Sequence, residues 1–175
     1  MASDTPDNNL RALRHVYTAN DPLSQQAVFT KVRQSIQTAY SEGSMAIDTI
    51  YGASTLDRHA GAGFSNGDTP SDAAACSALG AGAASPGGTV CRVVDFAPLH
   101  QCAMSRGQNL DYAAVVEGSI VLRLDSGQET RLERGDVAVQ RAANHVWQNP
   151  SKTEWARVLF VLQDSSPRSS AKCYI

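Results

Sequence analysis

The 175-residue sequence has no basic run, no apolar stretch long enough to span a membrane and no CxxC pair, and each absence excludes something. Fifteen basic residues against seventeen acidic ones leave a net charge of -2, with no cluster that could neutralise a phosphate backbone or an anionic bilayer. No nucleic acid and no membrane are therefore expected among the partners. Cys76, Cys91, Cys102 and Cys173 are scattered, which suits neither a zinc knuckle nor a disulfide framework. They read as reduced thiols packing as small hydrophobes, with Cys173 in the tail the most exposed. The opening MASDTPDNNLRAL lacks the charged start, apolar run and cleavage site of a secretory leader, so a soluble cytoplasmic protein is expected. No Ser-His-Asp order, phosphate-binding loop or dinucleotide fingerprint is present; GAGFSNG has glycine spacing but no strand before it or helix after it.

What is there is β-type sequence. LRHVYTAN and QQAVFTKV flank the turn-forming DPLS and are rich in β-branched and aromatic residues, predicting a hairpin. A helix from Ser24 to Tyr40 competes, because Ala27, Val28, Val32, Ile36 and Tyr40 fall near helical spacing. MAIDTIYGAS reads as a strand ending at a Gly-Ala-Ser turn. Residues 60–88 are dominated by Ala, Gly and Ser and cannot bury much, so they are expected to form a mobile loop or lid, with SDAAACSAL as one short helix. From Pro86 onward TVCRVVDFA, LDYAAVVEG, SIVLRLDSG, QETRLERG, DVAVQ, HVWQNP and ARVLFVL follow at tight spacing. Gly118, Ser126-Gly127, Arg134-Gly135 and Asn149-Pro150 stand between them as breaks. Short hairpin-linked strands of this kind hide their edges by closing into a barrel or a double sheet. The expected division is an arm, strands and Ala/Gly/Ser loop over 1–85, a barrel core over 86–165 and a flexible tail over 166–175.

The segment from Gly88 to Leu162, with VVEGSIVLRLDSG, then GDVAVQRAANHVWQN, then RVLFVL, resembles the cupins, closest to the small one-domain cupins of fungal and bacterial small-molecule metabolism. The resemblance implies an all-β, single-domain double-stranded β-helix, or jelly-roll barrel, with few or short helices, and a homodimer. Its specific part is His145 with Asn149 four residues on. Cupins usually hold a divalent metal with two histidines and a carboxylate from a first motif and one histidine from a second. Counting back seven from Gly118 puts the carboxylate at Asp111 and the first-motif histidines at or near Ser105 and Gly107, where both are missing. Asp111 and His145 remain, too few for the three or four ligands such a site needs. His100 on the loop after Pro98 is the one candidate to complete a set.

No metal and no cofactor are expected on this reading, and the pocket becomes either an acid/base site or a binding cavity. His145 is the expected acid or base and Asp111 its orienter or a second proton carrier, in a metal-independent lyase, isomerase or cyclase acting on a small aromatic or polyketide-like molecule. Trp147 follows His145 by two on the same strand face and would wall the cavity. Arg106, Tyr112 and Ser105 flank the carboxylate position as substrate-binding candidates; Arg106 has the best claim, as an oxyanion partner. Arg141 would support the turn before His145, and Trp155 would pack or meet a second copy. The plainer readings are a core histidine satisfied by hydrogen bonds and a core tryptophan. The rival functions are a non-catalytic ligand-binding cupin and a metal dioxygenase that recruits His100.

Overall fold

The structure is a computed structural model that describes residues 8–54, 88–106 and 109–165. The Ala/Gly/Ser segment, apart from Gly88, and the C-terminal tail lie outside the described residues, so the lid, the short helix and the tail are not addressed by it.

Among the described residues twelve strands run in chain order: β1 (Arg14–Asn20), β2 (Ala27–Gln34), β3 (Thr38–Tyr40), β4 (Met45–Ser54), β5 (Gly88–Phe96), β6 (Ser105–Arg106), β7 (Asn109–Glu117), β8 (Ser119–Leu124), β9 (Glu129–Glu133), β10 (Val137–Arg141), β11 (Asn144–Gln148) and β12 (Ala156–Asp164). No α-helix is present among the described residues; a single 3-10 turn spans Ser41–Gly43. The hairpin reading of the N-terminal segment holds and the helix over Ser24 to Tyr40 does not, because β2 pairs antiparallel with β1 from Arg14 opposite Gln34 to Asn20 opposite Ala27. Branched side chains at Val28, Thr30 and Val32 favour that extended ladder. The strand at MAIDTIYGAS runs through its Gly-Ala-Ser end instead of turning there, since Gly52, Ala53 and Ser54 still pair with Val90, Thr89 and Gly88.

A six-stranded sheet of order β10-β7-β12-β5-β4-β3 packs on a four-stranded sheet of order β6-β11-β8-β9, with every pairing antiparallel. Alternation decides what each strand contributes. Along β7, Asp111, Ala113 and Val115 turn inward while Tyr112 is exposed. Ile47, Val90, Val94, Phe96, Ile120, Val158 and Phe160 fill the space between the sheets with the inward residues of β7. The outward face of the large sheet is also covered. Asp95 and Arg157 form a buried two-point ion pair, Nε to Oδ1 at 2.6 Å and Nη2 to Oδ2 at 2.7 Å. Asn8 and Gln37 donate to the same carboxylate, and Arg157 Nη1 donates to the carbonyl of Arg11. Nearby, Asp48 accepts from Arg33, Ser35 and the backbone of Ile36. Residues 8–37 therefore lie on the sheet through polar contacts, while Val28, Phe29 and Val32 of β2 stay exposed.

Candidate active site

β10 is the edge of the large sheet, and the turn through Ala142 and Ala143 carries the chain into β11 of the small one. Ala142 takes a positive φ of 51° at this corner. Gln140 sits just before the turn and His145 just after it, and both are buried. Gln140 closes the turn by mimicking a backbone pair: its Nε2 donates to the carbonyl of Ala143 at 2.8 Å and its Oε1 accepts from the N–H of Ala143 at 3.1 Å. The same Nε2 lies 2.6 Å from His145 Nδ1, which is also 3.0 Å from the Ala143 carbonyl.

Across the large sheet Gln140 stands directly opposite Asp111 of β7, so the two side chains share the inward face. Asp111 is 8% exposed and its buried Oδ1 accepts no hydrogen bond. Burial pushes its carboxyl above the ordinary range, and the positive charges of His145, when protonated, and Arg92 oppose that rise. Arg92 is buried on the inward face of β5, opposite Phe160 of β12.

The structure thus gathers His145, Asp111, Gln140 and Arg92 where the two sheets meet. The ring of His145 is held by Gln140 and Ala143, not by Asp111 as its expected orienter. Trp147 has its edge-on contacts with His145 at 5.7 Å and Phe160 at 5.5 Å between ring centroids, and it belongs to the hydrophobic core. Tyr112 is not brought to the site: as the neighbour of Asp111 on one strand it projects to the outer face, 40% exposed. Ser105 lies opposite His145 in the β6–β11 pairing, and Arg106 opposite Asn144; both are exposed on this short edge strand. Arg141 is exposed at the end of β10. His100 serves elsewhere. Its Nδ1 is 2.8 Å from the Ser44 hydroxyl and its Nε2 3.8 Å from Cys102 Sγ, and its carbonyl accepts from Asn149, about 13 Å along β11 from His145 at strand rise. The Cys102 thiol is pushed up to about 11 by burial and Cys91 is raised for the same reason, as expected of thiols that pack.

Asn149 is fully buried and acts as a staple: its amide donates to the carbonyls of Phe96, Ala97 and Glu154, and its Oδ1 accepts from Ser151. Gln140 and Arg92 were not singled out in the sequence. Their one available signal was parity, since each shares the inward phase of its strand with apolar neighbours, Ala138 for Gln140 and Val90 and Val94 for Arg92. A separate cleft of about 280 Å³, lined by Ser119, Arg131, Glu133, Ser151 and Trp155 among others, includes neither His145 nor Asp111.

The metal that cupins usually hold does not fit these residues. Among the described residues no three of His, Cys, Asp and Glu stand together as a ligand set. One imidazole and one carboxylate fall short of protein-held transition-metal coordination.

Two antiparallel sheets joined at such a corner, with polar side chains gathered between them, define a cupin-type jelly roll, the fold class expected. No protein-family model matches the chain. The phomopsin biosynthesis cluster protein C' of Diaporthe leptostromiformis is 49% identical over 82 residues, 47% of this chain and 43% of that protein. The cupin-domain-containing oxidoreductase virC of Hypocrea virens is 45% identical over 82 residues, 46% of this chain and 42% of that protein. The likeness thus spans less than half the length of either relative. Among solved structures, an RmlC-like cupin from Shewanella frigidimarina covers 76% of this chain and 86% of its own at 10% identity, with a TM-score of 0.46.

Proposed function

We propose that the chain is a tailoring enzyme of fungal small-molecule biosynthesis that moves a proton between His145, Asp111 and a small, aromatic or polyketide-like substrate, without a metal. Dehydration, decarboxylation, isomerisation and ring closure are the reactions such a pair performs. The biosynthetic setting is carried by the relatives' names. One observation carries the chemistry: the buried Asp111 carboxylate, with an unbonded oxygen and a raised pKa, beside a buried histidine. Evolved acid/base sites keep such groups because a raised carboxyl pKa brings the proton's affinity nearer to working pH. Arg92 adds a fixed positive charge that favours the ionised carboxylate. Trp147 packs against the His145 ring and limits its rotation. Ser105 and Arg106, at the edge strand opposite β11, are the proposed substrate contacts, and a homodimer is the proposed assembly.

A second reading has its own support. Several relatives are named oxidoreductases, which implies that they transfer electrons and not only protons. The test separates the two. A strain lacking the chain should accumulate its substrate, and the purified protein should convert that compound with loss of water or carbon dioxide or with no change of formula, at an undiminished rate after dialysis against EDTA. Loss of two hydrogens or gain of oxygen would replace the proposal with the redox reading. His145→Ala and Asp111→Asn should each slow conversion by roughly a hundredfold, the usual worth of a positioned acid or base. Unchanged turnover in both variants would move the chemistry elsewhere.

A further inference from the structure

We propose that Gln140 is a positioning residue that fixes His145 in its neutral Nε2–H tautomer, so that the imidazole presents a hydrogen-bond donor on the side away from Gln140 and Asp111 is the group that takes the proton. The inference rests on the acid/base reading above and divides the labour within it.

The orientation of the Gln140 amide decides the matter. An N–H can only donate and a carbonyl can only accept, so the reciprocal pair with Ala143 puts Oε1 against the Ala143 N–H and Nε2 against the Ala143 carbonyl. Rotating the amide by half a turn would set donor against donor and acceptor against acceptor at both contacts. Of the two Nε2 hydrogens one is committed to Ala143, and the other points at His145 Nδ1 2.6 Å away. That distance accommodates one hydrogen and not two facing each other, so Nδ1 offers its lone pair and the ring proton resides on Nε2. The Ala143 carbonyl, 3.0 Å from Nδ1, is the competing partner, but it already accepts from Gln140 and is the more distant. Buried donors left unpaired are costly, which weights the choice toward the arrangement that satisfies both Gln140 hydrogens.

Two consequences follow for the chemistry. A histidine whose Nε2 carries the proton has no lone pair on that atom, so it cannot act there as general base. It can polarise a substrate oxygen by donating a hydrogen bond to it. The base is then the carboxylate opposite Gln140 on the next strand, whose buried oxygen accepts nothing else. In a balanced cycle the Asp111 carboxylate takes a proton from carbon or oxygen of the substrate while Nε2–H donates to the oxygen that gains charge. Transfer of the Asp111 proton to product or water restores the pair, and the ring keeps its own proton throughout.

The tautomer is read directly from the imidazole nitrogen shifts of the full-length chain labelled with nitrogen-15 histidine, at a pH where His145 is neutral. His145→Gln identifies its resonances. The expected result is a pyridine-like Nδ1 and a pyrrole-like Nε2. A pyrrole-like Nδ1 would overturn the inference. Gln140→Met removes the donor at similar volume and leaves the Ala143 carbonyl as the only partner of Nδ1, so the proton should move to Nδ1 and the two shifts exchange character. Retention of Nε2–H in a folded Gln140→Met would show that Gln140 does not set the tautomer. If that variant does not fold, Gln140→Glu supplies the same reversal through a carboxylate acceptor, and the wild-type spectrum still decides. No turnover is involved, so failure of the acid/base reading would appear in the His145→Ala and Asp111→Asn rates and failure of this inference in the spectrum.

Discussion

Asp111 carries a cost that the rest of the molecule bears. Its folded pKa lies above its unfolded value because burial disfavours the charge, so between those two values the folded state holds more protons than the unfolded one. Stability is then greatest below the unfolded pKa and falls as pH rises through the folded one. Asp111→Asn should therefore melt at a higher temperature than wild type at neutral pH, and the gap should close on acidification below about pH 4, the ordinary carboxyl range. A scan of melting temperature against pH checks this, and a gap that widens in acid would reverse the assigned sign. Asp111 was named in the sequence only as what the cupin resemblance implies, seven residues before Gly118, and His145 by the same resemblance together with its strand-turn-strand setting. Gln140 and Arg92 were not, because a polar side chain in DVAVQ or TVCRVV looks like a surface residue until the sheet's partner is known.

Among the elements, the strands from Gly88 to Asp164 other than the two-residue β6 were legible because turns punctuate them and two-residue alternation marks their faces. What alternation could not tell was which strand edges meet, and hence that the chain would bring the end of β10 against Asp111. Tyr112 was misjudged for a related reason. Proximity in sequence to Asp111 suggested proximity in space, yet on a strand adjacent residues part to opposite faces. The N-terminal ambiguity arose because Val28, Val32 and Ile36 satisfy a helical spacing while their branched side chains favour a ladder; pairing with β1 settled it. Gly118, between β7 and β8, is required by its surroundings as well as by its φ of 71°: a Cβ there would lie 2.9 Å from the Trp155 carbonyl and 3.1 Å from Ala156 Cα. Gly127, at φ 84°, has nothing within 4 Å. Gly118→Ala should cost about 1–3 kcal/mol more than Gly127→Ala, the strain of a crowded left-handed residue against an uncrowded one. Chemical denaturation of the two variants measures the difference, and equal losses would mean that the backbone gives way at no cost.

At the scale of the whole molecule, two kinds of interior coexist. Between the sheets the contacts are apolar apart from the cluster around His145; on the outer face they are ion pairs and amides. Removing one partner of a buried pair leaves the other charged and unsolvated, so Asp95→Ala should destabilise the protein by about 3–5 kcal/mol, as seen in a denaturant titration, while leaving the His145 spectrum unchanged in the folded state. A loss below about 1 kcal/mol, the range of surface pairs, would show that water or Glu117, 3.5 Å from Arg157 Nη1, compensates the guanidinium. The polar outer face also governs what a partial opening would expose. If residues 8–37 lift away, the surface uncovered includes Asp48, Asp95 and Arg157 with Ala46 and Val93 among them, a face dominated by charges that water hydrates. Such an opened form offers little for another chain to stick to, which sets it apart from a barrel whose covering strands rest on an oily face. A detached N-terminal hairpin would thus not by itself commit the protein to aggregation.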